Sequence, residues 1–216
     1  MNNSKTARFR WISCLILVAG VFLATSNAQA DIVPFFNTGV DSSGNPLGGG
    51  SQDLHYTATY QVVGSPTNQA VVLSALWGSW PTPGDAKWIG WVDNAYPGSY
   101  GTYAFSTTFN LTGYDPSTAK LSGKWTPDNV GYIYLNGVYT GNSTSDFSNL
   151  SNFTLTTGFK SGVNTLTFQV DMPDGYDGLL VSGTQLTANS VPLPPTALLM
   201  GSGLLGLGLL RFRKRA

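Results

Sequence analysis

The chain predicts an all-β fold, a single antiparallel β-sandwich or jelly roll, on three observations. Apolar and polar residues alternate with period two from Tyr56 onward, helical periodicity is nowhere sustained, and Asn136-Gly137 sits between two alternating runs. Such alternation sends successive side chains to opposite faces of a strand, so that one face is buried and the other is wet. About eight short strands with polar turns are enough for two packed sheets.

Taken in chain order, the first strands fall at 56–63 and 70–76. Next, Tyr103, Phe105, Phe109 and Leu111 share one face, while Ala104, Ser106, Thr108 and Asn110 share the other. A strand at 118–125 follows. The run Tyr132-Ile133-Tyr134-Leu135 then enters Asn136-Gly137, where both residues tolerate the positive φ of a tight hairpin turn, and a strand returns through Val138-Tyr139. Phe153, Leu155 and Phe159 stand against Thr154 and Thr156; Leu166, Phe168 and Val170 stand against Thr165, Thr167 and Gln169. A last strand covers 178–186. The pattern predicts that Phe109, Leu135, Phe159 and Phe168 are buried between sheets. Segment 37–53, rich in Gly, Ser and Asn, reads as a loop or linker between a first short apolar stretch and the body.

Three parts are expected: a signal peptide at 1–30, the β-sandwich at 31–190, and a membrane and sorting segment at 191–216. Basic Lys5, Arg8 and Arg10, an apolar stretch at 12–23 and Ala28-Gln29-Ala30 before Asp31 carry the first. Cys14, the sole cysteine, falls in that signal, so the mature domain has no disulfide or thiol chemistry. At the other end Val191-Pro192-Leu193-Pro194-Pro195 precedes an apolar, Gly-dotted run at 196–210 and then Arg211, Arg213, Lys214 and Arg215. A helical run of that length spans about 22 Å against a hydrocarbon core of about 30 Å, a marginal crossing. The basic cluster holds the cytoplasmic side and leaves the body across the membrane.

Removing the ends changes the charge. Residues 31–190 keep four basic side chains, Lys87, Lys120, Lys124 and Lys160, against 11 acidic ones, a net of −7. Every acid is Asp. That balance repels polyanions and argues against nucleic acid as a partner.

The tail resembles the PEP-CTERM sorting signal of exopolysaccharide-producing Gram-negative bacteria. The resemblance rests on Val191, Pro192 and Pro194, the short apolar segment and the Arg-rich end; Leu193 stands where the name-giving motif has Glu. It implies processing by an exosortase, transient anchoring in the inner membrane, and delivery to the cell surface or extracellular matrix. Two other readings stay open: a Gram-positive sortase signal at Leu193-Pro194-Pro195-Thr196-Ala197, and an unprocessed membrane anchor. Across 88–186, Trp88-Ile89-Gly90, Asp128-Asn129, Tyr134-Leu135-Asn136-Gly137, Gly162-Val163-Asn164-Thr165-Leu166 and Gly178-Leu179 look like a galactose-binding-like β-sandwich domain. Members of that fold are mostly carbohydrate-binding or structural modules, and fold alone does not establish function.

Titratable groups for catalysis are few. His55 lies between Asp53 and Tyr56, with Ser51 nearby, but residues this close in sequence rarely converge as a triad, whose members come from separate segments. No residue is assigned a catalytic role. Paired Asp carboxylates acting as a glycosidase are the alternative. The aromatic content points instead to binding, because a ring stacks on the apolar C–H face of a sugar. Trp77 and Trp80, leading into the loop with Pro81, Pro83 and Gly84, are the first candidates, and Tyr132 and Tyr134 the second, since they point away from Ile133 and Leu135. Trp88 and Trp125 read as core. Asp171, Asp174 and Asp177 sit at three-residue spacing in a Gly-containing loop; hard oxygens suit Ca²⁺, whereas Asp-Gly turns explain the same residues without metal. No other cofactor is expected. The expected function is a non-catalytic binding or structural module, with exopolysaccharide as ligand.

Overall fold

The computed structural model describes residues 30–61, 65–97, 100–173 and 175–192, and these form strands, turns and loops without a helix. Residues 1–29, Asp174 and the tail from 193, with Pro194, Arg211, Arg213, Lys214 and Arg215, lie outside the described residues. The strands are β1 Ala30–Val33, β2 Gln52–Tyr60, β3 Thr67–Val72, β4 Ile89–Gly90, β5 Gly101–Asn110, β6 Tyr114–Asp128, β7 Val130–Leu135, β8 Val138–Thr144, β9 Ser151–Leu155, β10 Val163–Met172 and β11 Gly178–Ser190.

The hydrogen-bonded order is β8-β7-β10-β5-β2-β3-β4-β11-β6-β9, with β1 added to β11, and the pairings are antiparallel. The two-residue β4 joins β3 on one side to β11 on the other. The sheet then folds over on itself. Phe168 of β10 meets Trp125 of β6 at 5.5 Å and Phe153 of β9 at 6.1 Å, ring centre to ring centre, although these strands are remote in the order. Tilted and edge-on rings of this kind fill the space between two layers and suit the aromatic quadrupole.

The alternation expected over 103–111, 132–135 and 165–170 is realised, while the strand expected at 56–63 is β2 Gln52–Tyr60, with 62 and 63 outside the described residues. Tyr103, Phe105, Phe109, Leu111, Leu166, Phe168 and Val170 are buried, as are Trp88 and Trp125. Asn136 and Gly137 carry φ of 52° and 83°, the left-handed pair that a two-residue hairpin between β7 and β8 requires.

Several expectations are corrected. Phe159 is only half-buried, because β9 ends at Leu155 and the period-two argument does not carry into the loop beyond. The strand expected at 70–76 runs Thr67–Val72 instead. The short β1 and β4 escaped notice, since four and two residues are too few to show a period. Segment 37–53 is no free linker. Thr38 and Val40 are buried within it, the backbone N–H of Thr38 donates to the Val181 carbonyl, and the Thr38 hydroxyl accepts from the Val181 N–H. Buried Asp53 accepts from the N–H of Gly39 at 2.7 Å and that of His55 at 2.8 Å. The segment is a strap fastened to β2 and β11.

Truncating Phe168 to Ala is expected to cost about 3–5 kcal/mol, because a fully buried ring between two layers leaves a cavity. Phe159→Ala is expected to cost clearly less. Chemical denaturation of both variants checks the pair, and equal losses would contradict the burial difference.

Candidate functional site

Three loops meet beside the start of β11, and tryptophan and carboxylate side chains set their positions. In the loop between β3 and β4, the backbone N–H of Trp80 donates to the Trp77 carbonyl in a turn. Trp80 itself is driven inward. Its ring stacks on Trp88 at 4.0 Å and 20°, and its indole N–H donates to a carboxylate oxygen of buried Asp128 at 2.7 Å. Gly178 lies against both rings: a Cβ there would come within 2.7 Å of Trp88 and 2.9 Å of Trp80. The close approach of β11 to this pair therefore excludes any side chain.

Trp80 is thus corrected from ligand contact to structural peg, being 5% exposed and committed to Trp88 and Asp128. A flanking proline-rich loop signals exposure of a segment, not of each ring in it. With Trp80 pegged, the turn carries Trp77 outward, where it is 54% exposed.

Trp77 does not stand alone. Tyr176, from the loop between β10 and β11, approaches it at 4.8 Å, and Tyr96, from the loop after β4, approaches Tyr176 at 4.8 Å from another side. Tyr96 is 49% exposed and Tyr176 half-buried. The result is a three-ring cluster drawn from three loops. The loops are tied by Asp93, whose carboxylate accepts from the N–H and the hydroxyl of Ser74 at 2.7 Å each, and by the N–H of Asp177 donating to the Ala95 carbonyl. Sequence reasoning missed Tyr96 and Tyr176. Its place beside the Asp-Gly turn is the one sequence signal that Tyr176 offers.

Asp171 and Asp177 are each bonded elsewhere. Asp171, on β10, accepts from the Thr102 hydroxyl at 2.7 Å and from Gln169. Asp177 is fully buried and accepts from the Trp91 N–H at 3.2 Å, while its other oxygen, Oδ1, has no hydrogen-bond partner. Among the described residues no group of three His, Cys, Asp or Glu side chains stands together as a metal site. Burial, reinforced by the charge of nearby Asp128 and opposed by the Trp91 N–H, pushes the Asp177 carboxyl up to about 7.

Asp128 and Asp177 are the paired acids that a hydrolytic reading looks for, and both are buried. Glycoside cleavage needs the sugar, and in inverting enzymes a water, between the two carboxyls. His55 is not part of a triad either: its ring stacks on Phe36 at 3.7 Å and 8°, and its Nε2 meets the Asp41 carbonyl. Tyr132 and Tyr134 are half-buried on the face opposite the buried Ile133 and Leu135, together with Tyr139 from β8. Val191 and Pro192 are exposed just past β11, where the Val191 N–H donates to the Gly113 carbonyl.

Because Asp177 holds its proton to about 7 in the folded chain against 3.8 ordinarily, stability is expected to fall as pH rises from about 4 to about 7 and to level off above. Asp53, raised by burial, acts in the same direction, whereas Asp115, lowered by the hydroxyl and N–H of Ser117, titrates below that window. Asp177→Asn is expected to remove most of the fall, on the order of a few kcal/mol at pH 8. Thermal melts from pH 4 to 9 check it, and a wild-type melting temperature that rises through that range would contradict the assignment.

No family model and no curated protein matches the chain. Among solved structures it is similar to the Stig cyclase Fisc from Fischerella sp. TAU, at 7% identity over 76% of this chain and 100% of that one, with a TM-score of 0.43. It is similar to a CBM35 from Paenibacillus barcinonensis at 13% identity over 76% of this chain and 99% of that one, TM-score 0.33. A β-glucuronidase from Ruminococcus gnavus matches at 13% identity over 63% of this chain, TM-score 0.37, and the match spans 28% of the glucuronidase. Likenesses at this level bring no activity or ligand to this chain.

Proposed function

We propose that this chain is an exported, exosortase-processed cell-surface or extracellular-matrix protein whose β-sandwich is a non-catalytic binding module for a neutral polysaccharide. The observation that carries the binding reading is the Trp77–Tyr176–Tyr96 cluster: three rings from three loops, with Trp77 and Tyr96 each about half exposed. Burying such rings would stabilise a core, so leaving them at the surface makes sense where a ligand covers them. Sugar rings fit, because their C–H faces pack on aromatic planes while their hydroxyls meet neighbouring polar groups such as Asn94. A net charge of −7 over 31–190 favours an uncharged polymer over an acidic one or a nucleic acid. The resemblance to a galactose-binding-like domain supports the same class of ligand.

The glycosidase alternative draws no support from Asp128 and Asp177, because both are buried whereas hydrolysis needs the sugar between the two carboxyls. Export and processing rest on the two ends of the sequence. Calcium remains part of the proposal only through the loop of Asp171, Asp174 and Asp177; an ion held by the native state alone would raise its melting temperature, and a chelator would reverse that.

Trp77→Ala and Tyr176→Ala are each expected to weaken retardation of the chain in gels cast with galactomannan or hydroxyethyl cellulose, with melting temperatures near wild type for Trp77→Ala. Unchanged retardation in both variants would remove the cluster from the binding site. Mass spectrometry of material recovered outside the cell is expected to find a chain that begins at Asp31 and lacks Arg211, Arg213, Lys214 and Arg215. A secreted species that retains those residues would leave a plain anchor instead of a sorting signal.

A further inference from the structure

We propose that the outer face of the β7–β8 hairpin is a second polysaccharide-binding surface, formed by Tyr132, Tyr134 and Tyr139 and independent of the Trp77 cluster. The class of ligand rests on the binding reading given above; the surface itself does not depend on Trp77.

Strand geometry builds the patch. Ile133 and Leu135 occupy the core, so Tyr132 and Tyr134, one residue out of phase, face outward. Tyr134 pairs directly across the ladder with Tyr139 of β8. The Tyr139 ring then lies 5.6 Å from Tyr134 and 6.1 Å from Tyr132, so three phenol rings share one surface with Tyr139 46% exposed. The Asn136-Gly137 turn sets the Leu135–Val138 and Tyr134–Tyr139 pairs next to it, and a shift in register beyond them brings Ser143 opposite Tyr132.

The neighbours directly opposite the rings are uncharged hydrogen-bonding groups, and the one charge on this face of β10, Asp171, lies beyond them and accepts from Gln169. Thr167 is opposite Tyr134 and Gln169 opposite Tyr132 on β10, and the Thr167 hydroxyl is 2.9 Å from that of Ser106 on β5. Rings flanked by hydroxyls and an amide, without a lysine or arginine among them, match a neutral sugar chain. They do not match a phosphate or carboxylate polymer.

The position argues for a ligand as well. β8 ends the hydrogen-bonded order and leaves Val138 and Tyr139 exposed at an edge. Edges of this kind invite pairing with another chain unless charge, proline or a cover protects them. β8 itself carries no charge and no proline, which is tolerable where a polymer occupies the edge. Pairing of two copies through β8 is the competing occupant, and the test separates the two.

The test uses the full chain in non-ionic detergent, with galactomannan and hydroxyethyl cellulose as probes in affinity electrophoresis. Leucine replaces Tyr134 and Tyr139, since it keeps apolar bulk but lacks a flat face; Tyr134→Ala and Tyr139→Ala serve as a second pair, with melting curves for all. In a Trp77→Ala background part of the retardation is expected to survive, and adding Tyr134→Leu with Tyr139→Leu is expected to weaken affinity by a further factor of about ten. Tyrosine variants that bind as tightly as their Trp77→Ala parent would overturn the second surface and leave the first standing. Weakened binding in the tyrosine variants with none in Trp77→Ala would overturn the first site and leave this one. A concentration-dependent dimer that the leucine variants dissolve, with polysaccharide affinity unchanged, would assign the edge to a second copy. A wild-type chain that neither polymer retards would overturn both.

Discussion

A carboxylate withdrawn from water must find donors or keep its proton, and that constraint organises the loops beside β11. Asp128 takes the indole N–H of Trp80, and Asp177 takes the backbone N–H of Trp91. Each bond ties a different loop to the same buried place. Trp80 then stacks on Trp88 against Gly178, where no side chain fits, and the loop carrying Tyr176 is held by the residue next to it. Without these fastenings Trp77, Tyr96 and Tyr176 would have no reason to share a surface. The exposed rings are positioned by rings and carboxylates that are buried.

The same arrangement places two acids side by side in the interior of a domain poor in chemically active side chains. Buried like charges are costly, and here burial raises the Asp177 carboxyl toward neutrality, which lowers the repulsion from Asp128. Such a pair is structural: it sits where solvent does not reach, under the loops, not across a cleft. At the surface beside it stand the exposed rings of Trp77 and Tyr96.

The strand pattern was legible because alternation is a local property repeated over many residues. Phe105, Phe109, Leu166 and Phe168 declare their faces without reference to any partner, and Asn136-Gly137 declares its turn. The strap at 37–53 was not legible, since Gly, Ser and Asn mark loops whether or not those loops are fastened. Its anchors, Thr38 and Asp53, work through Val181 and Gly39, and no local pattern announces such distant bonds. The candidate site fared similarly. Trp77 was found from its neighbourhood, Trp80 was misplaced for the same reason, and Tyr176 and Tyr96 were missed.

By itself the sequence determined the all-β class, the inward and outward faces of most strands, the hairpin turn at Asn136-Gly137 and the acidic balance of residues 31–190. Those follow from periodicity, turn chemistry and charge, which are carried by neighbouring residues. Only the tertiary structure decided which tryptophan is a peg and which is exposed, which tyrosines stand beside it, and that the paired carboxylates lie under the surface. Exposure of a loop residue depends on where the other loops come to rest, and that is settled by contacts between segments up to a hundred residues apart, such as Trp77 with Tyr176.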